Sequence, residues 1–292
     1  MQLNISQESV IIIKKQKVVT AMDWIITYIV LGAMALYLFL IFPALRRHPD
    51  RFLMRGMFVA HRGLHDKEME IPENSLNSFA LAKKLGFCIE IDIRLTKDGQ
   101  IVVFHDGNTK RVCGKDLKVR QSTMEQLSSL RLLDTDQSIP TLEQTLSLID
   151  GKVPLLIEFK CDYGDSDALC TAADKILSKY TGKYFVQSFY PPVLRWYRKH
   201  RPEICRGQLS CTHKKRCFYN FMATHLLFNF ISRPDFVSYR YQDASIFSRG
   251  MCTALGAFPV AWTFTEEEQL KAVRPLFKTY IFENFLPEKP YE

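Results

Sequence analysis

The chain has 292 residues, 47% hydrophobic and 24% charged, with a formal net charge of +8. That length suits one large domain or two small ones, and the hydrophobic fraction is ordinary for a chain with a packed core. The positive balance favours phosphates or anionic headgroups as partners, yet no zinc-finger, RNP or helix-turn-helix pattern accompanies it, so nucleic-acid binding is not expected.

Residues 1–20 read as an N-terminal tail. Then comes "WIITYIVLGAMALYLFLIF", Trp24 to Phe42, without a charge. About 20 apolar residues suffice to cross a bilayer. The "FPALRRH" that follows is a poor signal-peptidase site. A single membrane-spanning helix is therefore expected over 21–45, with membrane lipid as its partner. Lys14, Lys15 and Lys17 precede it; Arg46, Arg47, Arg51 and Arg55 follow it. The excess of cations on the C-terminal side places the rest of the chain in the cytoplasm. The eight cysteines agree, because none forms C-x-x-C and all read as reduced thiols rather than metal or redox pairs.

A domain is expected over 56–292. Its length, roughly 240 residues, is that of a (β/α)8 barrel. Eight strand-like runs begin at Met57, Phe87, Pro154, Tyr184, Ile204, Asp235, Pro259 and Tyr280. Helical stretches such as "SLNSFALAKKLG" and "SDALCTAADKILSKY" alternate with them, which argues for an α/β fold with a parallel sheet. A ninth run, "IVVFHD" from Ile101, follows the second strand after only "TKDGQ". So short a link permits a hairpin and forbids a parallel crossover, so an antiparallel arm is predicted there. The stretch from Asn108 to Thr141 is then a long connection before the helix opened by "IPTLEQTL".

Barrels carry their chemistry at the C-terminal ends of the strands. The first strand ends in His61-Arg62. Glu90 and Asp92, two residues apart, share a face of the second. The hairpin ends in His105-Asp106, the next barrel strand in Glu158 with Lys160 beyond, and two later ones in Gln187 and Trp262. Three convergent carboxylates repel one another unless a hard divalent cation or basic side chains balance them. Glu90, Asp92 and Glu158 could form that cage; the alternative is pairing with Arg62, Arg94 or Lys160 and no metal. His61 and His105 suit a general acid and base near neutral pH, while His65, His200, His213 and His225 read as ordinary. Arg62 and Lys160 would hold a phosphodiester. Gly63 allows a tight turn over the site. In "PENS", Asn74 either caps the following helix or, with Glu73, orders the site.

These residues resemble the glycerophosphodiester phosphodiesterase family. The resemblance rests on "HRG" at His61, "PENS" at Pro72, "EIDIRLTKDGQIVVFHD" from Glu90 and "IEFK" at Ile157, supported by "IPTLEQTL", "VQSF" and "AWTF". It implies a (β/α)8 TIM barrel with Mg²⁺ or Ca²⁺, and hydrolysis of glycerophosphodiesters to sn-glycerol 3-phosphate and an alcohol. It implies His61 and His105 as the acid/base pair, Glu90, Asp92 and Glu158 as metal ligands, and Arg62 and Lys160 as phosphate contacts. A neighbouring glycerol hydroxyl would attack phosphorus first, and water would open the cyclic phosphate. The family's "TD.P" is replaced here by "FENFLP", which puts Glu283 and Asn284 at the last strand end.

Two other functions compete. One is phospholipase D-type or transphosphatidylating chemistry on lysophospholipids or sphingolipids. The other is a non-catalytic module on the membrane, which would be marked by loss of a histidine or metal carboxylate; all five are present. The aromatic run from Phe218 to Phe236 reads as a barrel helix or as a lip facing lipid.

Overall fold

The computed structural model describes residues 7–46, 48–66, 68–162 and 164–288. Arg47, one of the cations flanking the apolar stretch, and residues 1–6 of the tail lie outside them. The side chains of Lys14, Lys15 and Lys17 do so too. Contacts divide the chain into a unit of residues 1–40 and one of residues 41–292.

The first unit is helical. One helix runs Gln7–Ile41, beginning earlier and ending sooner than the 21–45 read from the sequence. Pro43, which lacks an amide hydrogen, stands just beyond its end. Within it Met22–Ile41 is long and apolar enough to cross a membrane by length and composition. At 1.5 Å per residue those 20 residues span about 30 Å, the thickness of a bilayer core.

The second unit is the expected barrel. Its strands are β1 (Phe58–Ala60), β2 (Cys88–Leu95), β3 (Ile101–Val103), β4 (Leu155–Phe159), β5 (Tyr184–Ser188), β6 (Arg206–Ser210), β7 (Phe236–Arg240), β8 (Phe258–Phe264) and β9 (Thr279–Phe282). Eight of them run parallel in the order β1-β2-β4-β5-β6-β7-β8-β9, and β9 returns to β1 to close the ring. A helix sits between each successive pair, from Leu76–Lys84 after β1 to Glu267–Val273 after β8. β3 lies outside the ring, antiparallel to β2, with Ile93 opposite Val103.

The pleat sorts each strand into two faces. Val59, Cys88, Leu156, Phe185, Cys205, Phe236, Val260 and Ile281 point inward and fill the barrel. Gly207 belongs to that layer because a Cβ there would stand 1.9 Å from the Phe236 ring. Two residues further along the same faces come Glu90, Glu158 and Gln187, and four residues on from Cys88 comes Asp92, so the polar layer lies on the apolar one at the C-terminal rim. Asp92, Glu158 and Gln187 are direct neighbours across β2, β4 and β5.

Two additions complete the unit. The segment after β3 builds a satellite core from Val102, Phe104, Val112, Val119, Leu127, Leu130, Leu132 and Ile139. At the opposite end, the 3₁₀ turn Pro49–Met54 closes the barrel's N-terminal mouth. Met54 is wholly buried against the interior layer, and its carbonyl accepts from Thr279 Oγ1 at 2.5 Å. Arg51 Nη1 donates to Gly256 O at 3.0 Å, and Lys183 Nζ to Asp50 Oδ2 at 2.7 Å.

Candidate active site

The rim gathers His61, Arg62, Glu90, His105, Glu158, Lys160, Gln187 and Trp262 around one cavity of about 310 Å³, with Phe189 and Leu209 in its wall. Trp262 is held by Nε1–H to Ser238 O at 3.1 Å and meets Phe189 edge-on. Gln187 is buried, and its Oε1 has no hydrogen-bond partner among the described residues.

Ligand oxygens of Glu90, Asp92 and Glu158 lie within 4.8 Å of one another, and all three residues are buried. Both alternatives for balancing them have a counterpart in the geometry. Lys160 Nζ is 2.5 Å from Glu158 Oε1 and 3.2 Å from Asp92 Oδ1. Arg62 Nε is 3.3 Å from Asp92 Oδ2. Arg94 turns away, to His105 O and Asp162. Glu90 receives only the Arg62 backbone N–H, at 3.0 Å on Oε2, and its Oε1 is buried with no hydrogen-bond partner among the described residues.

The proton affinities follow. Burial pushes the Glu90 carboxyl well up, and the charges of Asp92 and Glu158 push it further. Burial raises Glu158 as well, against Lys160. For Asp92, burial is outweighed by Lys160, His105 and Arg62, which hold it low. Three anions against two cations leave the excess on Glu90 and Glu158. An all-oxygen donor set with an orphaned oxygen fits a hard divalent cation.

The two histidines are each seated on a carboxylate. His61 Nδ1 is 2.6 Å from Glu283 Oε2, and His105 Nδ1 is 2.6 Å from Asp106 Oδ1. Burial lowers both imidazoles: His61 below its ordinary value, and His105 to about 4. Glu283 is also 3.8 Å from His65 Nε2, which puts His65 beside the site although its sequence context reads as ordinary. Burial would raise the Glu283 carboxyl, but the hydrogen bond from His61 and the nearby His65 imidazole hold it low.

The "PENS" segment decides between the two readings of Asn74. The cap of helix Leu76–Lys84 is Ser75, in a capping box with Ser78, and not Asn74. Asn74 instead has φ 52° and turns inward, donating Nδ2–H to Asp92 Oδ2 at 2.9 Å. Glu73 accepts from Arg62 Nη1 at 2.8 Å and from Arg111 on both oxygens. Arg111 Nε reaches Asp106 at 2.6 Å, so one arginine ties the arm to the barrel. Sequence reasoning gave neither Arg111 nor Glu283 a partner. Gly63 turns at φ 80°, where a Cβ would stand 2.3 Å from Ser78 Oγ.

The model of the Glycerophosphoryl diester phosphodiesterase family matches residues 61–215, more than half of the chain and from the first histidine of the site onward. The chain belongs to that family. A glycerophosphodiester phosphodiesterase of Caldanaerobacter subterraneus is 30% identical over 166 residues, covering 53% of this chain and 67% of that one. A lysophospholipase D of Rattus norvegicus is 38% identical over 86 residues, 28% of this chain and 26% of that one. Among solved structures, a phosphodiesterase of Oleispira antarctica in complex with its product sn-glycerol-3-phosphate superposes with a TM-score of 0.65. It is 22% identical and covers 80% of this chain and 94% of its own, a likeness of fold. The barrel and the enzyme class expected from the sequence both stand.

Proposed function

We propose that this family member hydrolyses glycerophosphodiesters to sn-glycerol 3-phosphate and an alcohol with His61 and His105 as the proton-transfer pair and a divalent cation, Mg²⁺ or Ca²⁺, on Glu90, Asp92 and Glu158. The observation that carries it is two histidines, each on its own carboxylate, flanking one cavity that also holds three buried acids.

Glu283 and Asp106 each accept from Nδ1–H, which leaves Nε2 of the neutral imidazole free to take a proton. The general base acts as the neutral imidazole, the form burial favours, and the general acid enters as the imidazolium, with its second proton on Nε2 and its charge balanced by the carboxylate on Nδ1. One takes the proton of the glycerol hydroxyl as it attacks phosphorus; the other returns a proton to the departing alkoxide. Water then opens the cyclic phosphate with the roles reversed. Arg62 and Lys160 present positive charge to the phosphoryl oxygens at the cavity wall, and Glu73 and Asn74 hold the Arg62 and Asp92 side chains in place. A bound cation would supply Lewis-acid charge to the same oxygens. Gln187 and Trp262 line the space left for the diester.

The lysophospholipase D relative favours a second reading, in which the diester keeps one acyl chain and the product is a lysophosphatidic acid. Met22–Ile41 is proposed as a single-pass anchor in the cell membrane, with the barrel on the cytoplasmic side. The test is a panel of glycerophosphocholine, glycerophosphoethanolamine, glycerophosphoglycerol and lysophosphatidylcholine, assayed with the full-length chain with and without EDTA. Glycerol 3-phosphate formed from the first three, and abolished by EDTA, is expected. Lysophosphatidic acid as the main product would transfer the assignment to the second reading.

A further inference from the structure

The end of the barrel opposite the catalytic rim carries an unusual surface. Leu45, ahead of the turn that closes this mouth, is 84% exposed, and Phe52 and Leu53 within the turn are 52% and 54% exposed, while Arg51 and Met54 beside them are buried. Arg46 and Arg55 are exposed beside them. The Arg51 and Arg55 guanidiniums stand 4.6 and 6.0 Å from the centre of the Phe52 ring. The acids at this end are matched: Asp50 by Lys183, Asp150 by Lys152, Glu203 by Arg201 and Asp235 by Arg206. The charge left over is therefore positive, from Arg46, Arg55 and the exposed Lys278.

The chain also enters the barrel unit at this end. Asn229 Nδ2 donates to Ile41 O at 3.0 Å, Arg233 Nη1 to Phe42 O at 2.8 Å, and the Ala44 amide to Pro234 O at 2.9 Å. Pro234 lies just before β7, on the N-terminal side of the barrel. Residues 41–44, which make these contacts, follow directly in sequence on the apolar stretch Met22–Ile41.

We propose that this face, not the catalytic rim, rests on an anionic bilayer, with Leu45, Phe52 and Leu53 in the headgroup layer and Arg46 and Arg55 on lipid phosphates. Apolar side chains flanked by basic ones are the composition of an interfacial segment. The proposal rests on the anchor and on the phosphodiesterase reading, and it adds a substrate class. The cavity opens away from the bilayer, so it takes diesters that travel through water and not lipids lying in the membrane that holds the enzyme. The exposed aromatics of the rim, Phe218, Tyr219 and Phe221 beside Lys214, Lys215 and Arg216, then face water.

The native thiols offer a control. Cys217 is the one exposed cysteine among the described residues, and it sits in the loop after β6, at the rim. Full-length protein is reconstituted in vesicles of phosphatidylcholine and phosphatidylglycerol containing a headgroup-level spin-labelled lipid. A nitrobenzoxadiazole label is placed on Cys217 in one sample. In two others it is placed on Leu53→Cys or Leu45→Cys in a Cys217→Ser background. Labels at 53 and 45 should be quenched and blue-shifted, and the label at 217 should do neither. Quenching at 217, or none at 53 and 45, would overturn the proposal. Phosphodiesterase activity does not enter this readout, so a failed assay on diesters would remove the substrate class alone, and failure of the quenching pattern would remove the placement of this face. Leu45 lies in an irregular segment, so its variant guards against misfolding of the Leu53 one.

Discussion

The two histidines sit on opposite kinds of support. His61 closes a barrel strand, and its carboxylate partner comes from 222 residues away, beyond β9. His105 ends the arm, and its partner is the next residue. The wall pair is fixed by closure of the ring, where β1 pairs with β9 from Phe58↔Tyr280 to Ala60↔Phe282. The arm pair is fixed by a satellite core and by Arg111, which bridges Asp106 and Glu73. The difference is one of cost. Disturbing the wall disturbs the fold, whereas the arm can shift without opening the barrel. A site assembled from both is expected to have one more rigid half and one more adjustable half.

The three carboxylates belong to the wall alone, and they carry the largest expected effect. Chelation with EDTA should abolish hydrolysis, with recovery on adding Mg²⁺ or Ca²⁺. Glu90→Gln should weaken metal binding, measured by calorimetry, while the thermal transition stays within a few degrees, because the residue lies at the rim above the apolar layer. Full activity after exhaustive chelation would sink the cage and leave Lys160 and Arg62 as the charge-balancing groups.

Next come the histidines themselves. His61→Ala and His105→Ala should each lower kcat by about 10²–10⁴-fold, the usual contribution of proton transfer, with metal content unchanged. The two losses should not multiply, since both groups serve one transition state. The p-nitrophenyl ester of glycerol 3-phosphate, which keeps the attacking hydroxyl and whose leaving group needs no proton, should rescue one variant far more than the other and so assign the acid. Near wild-type rates for both on a natural diester would end the acid/base assignment.

The wall is the more legible half in sequence, up to its last contact. Strand alternation by itself puts Glu90, Asp92 and Glu158 on the inward face, and the five-residue link "TKDGQ" identifies the arm. What local pattern cannot supply is a pairing made by ring closure. "FENFLP" reads only as a departure from the family's usual ending, and its Glu283 becomes the His61 partner once β9 meets β1. Arg111 lies in a connection without periodicity, so its bridge depends on how the satellite core docks. The cap shows a third limit. Asn74 and Ser75 are both good capping residues, and the choice between them is made by Asp92, which takes Asn74 inward.

Glu283→Gln probes the wall partner. A hydrogen bond to a charged group contributes about 1.5–3 kcal/mol. Loss of that order corresponds to about 10–100-fold in kcat. The pH profile supplies the sharper sign. Burial lowers the His61 imidazole, and the Glu283 hydrogen bond and charge partly oppose it. Removing the charge lets the imidazole fall further, so the ring stays neutral to more acidic pH. If His61 is the base, the acid limb of kcat/KM should move to lower pH as its height drops; a limb that moves upward, or stays fixed with His61 as base, contradicts the pairing.

Asp106→Asn should show the smallest effect, and the reason lies in exposure. His105 and Asp106 have side chains 31% and 24% exposed, against 15% for His61, so water screens their pairing more strongly. Asp106 is also shared: Arg111 Nε holds its other oxygen, and Arg111 itself is half-exposed. An asparagine keeps an oxygen that can accept the Nδ1–H of His105; its amide nitrogen cannot accept from Arg111, which keeps its two bonds to Glu73. The expected loss is about 1 kcal/mol or less, the range of exposed ion pairs, or about fivefold in kcat. Burial is the leading cause that lowers His105 to about 4, and the Asp106 hydrogen bond opposes it less than the Asp92 charge does. The pH limb belonging to His105 should therefore barely move. If Asp106→Asn instead matches Glu283→Gln in both rate and limb, the arm is as rigid as the wall, and the division of the site into fixed and adjustable halves fails.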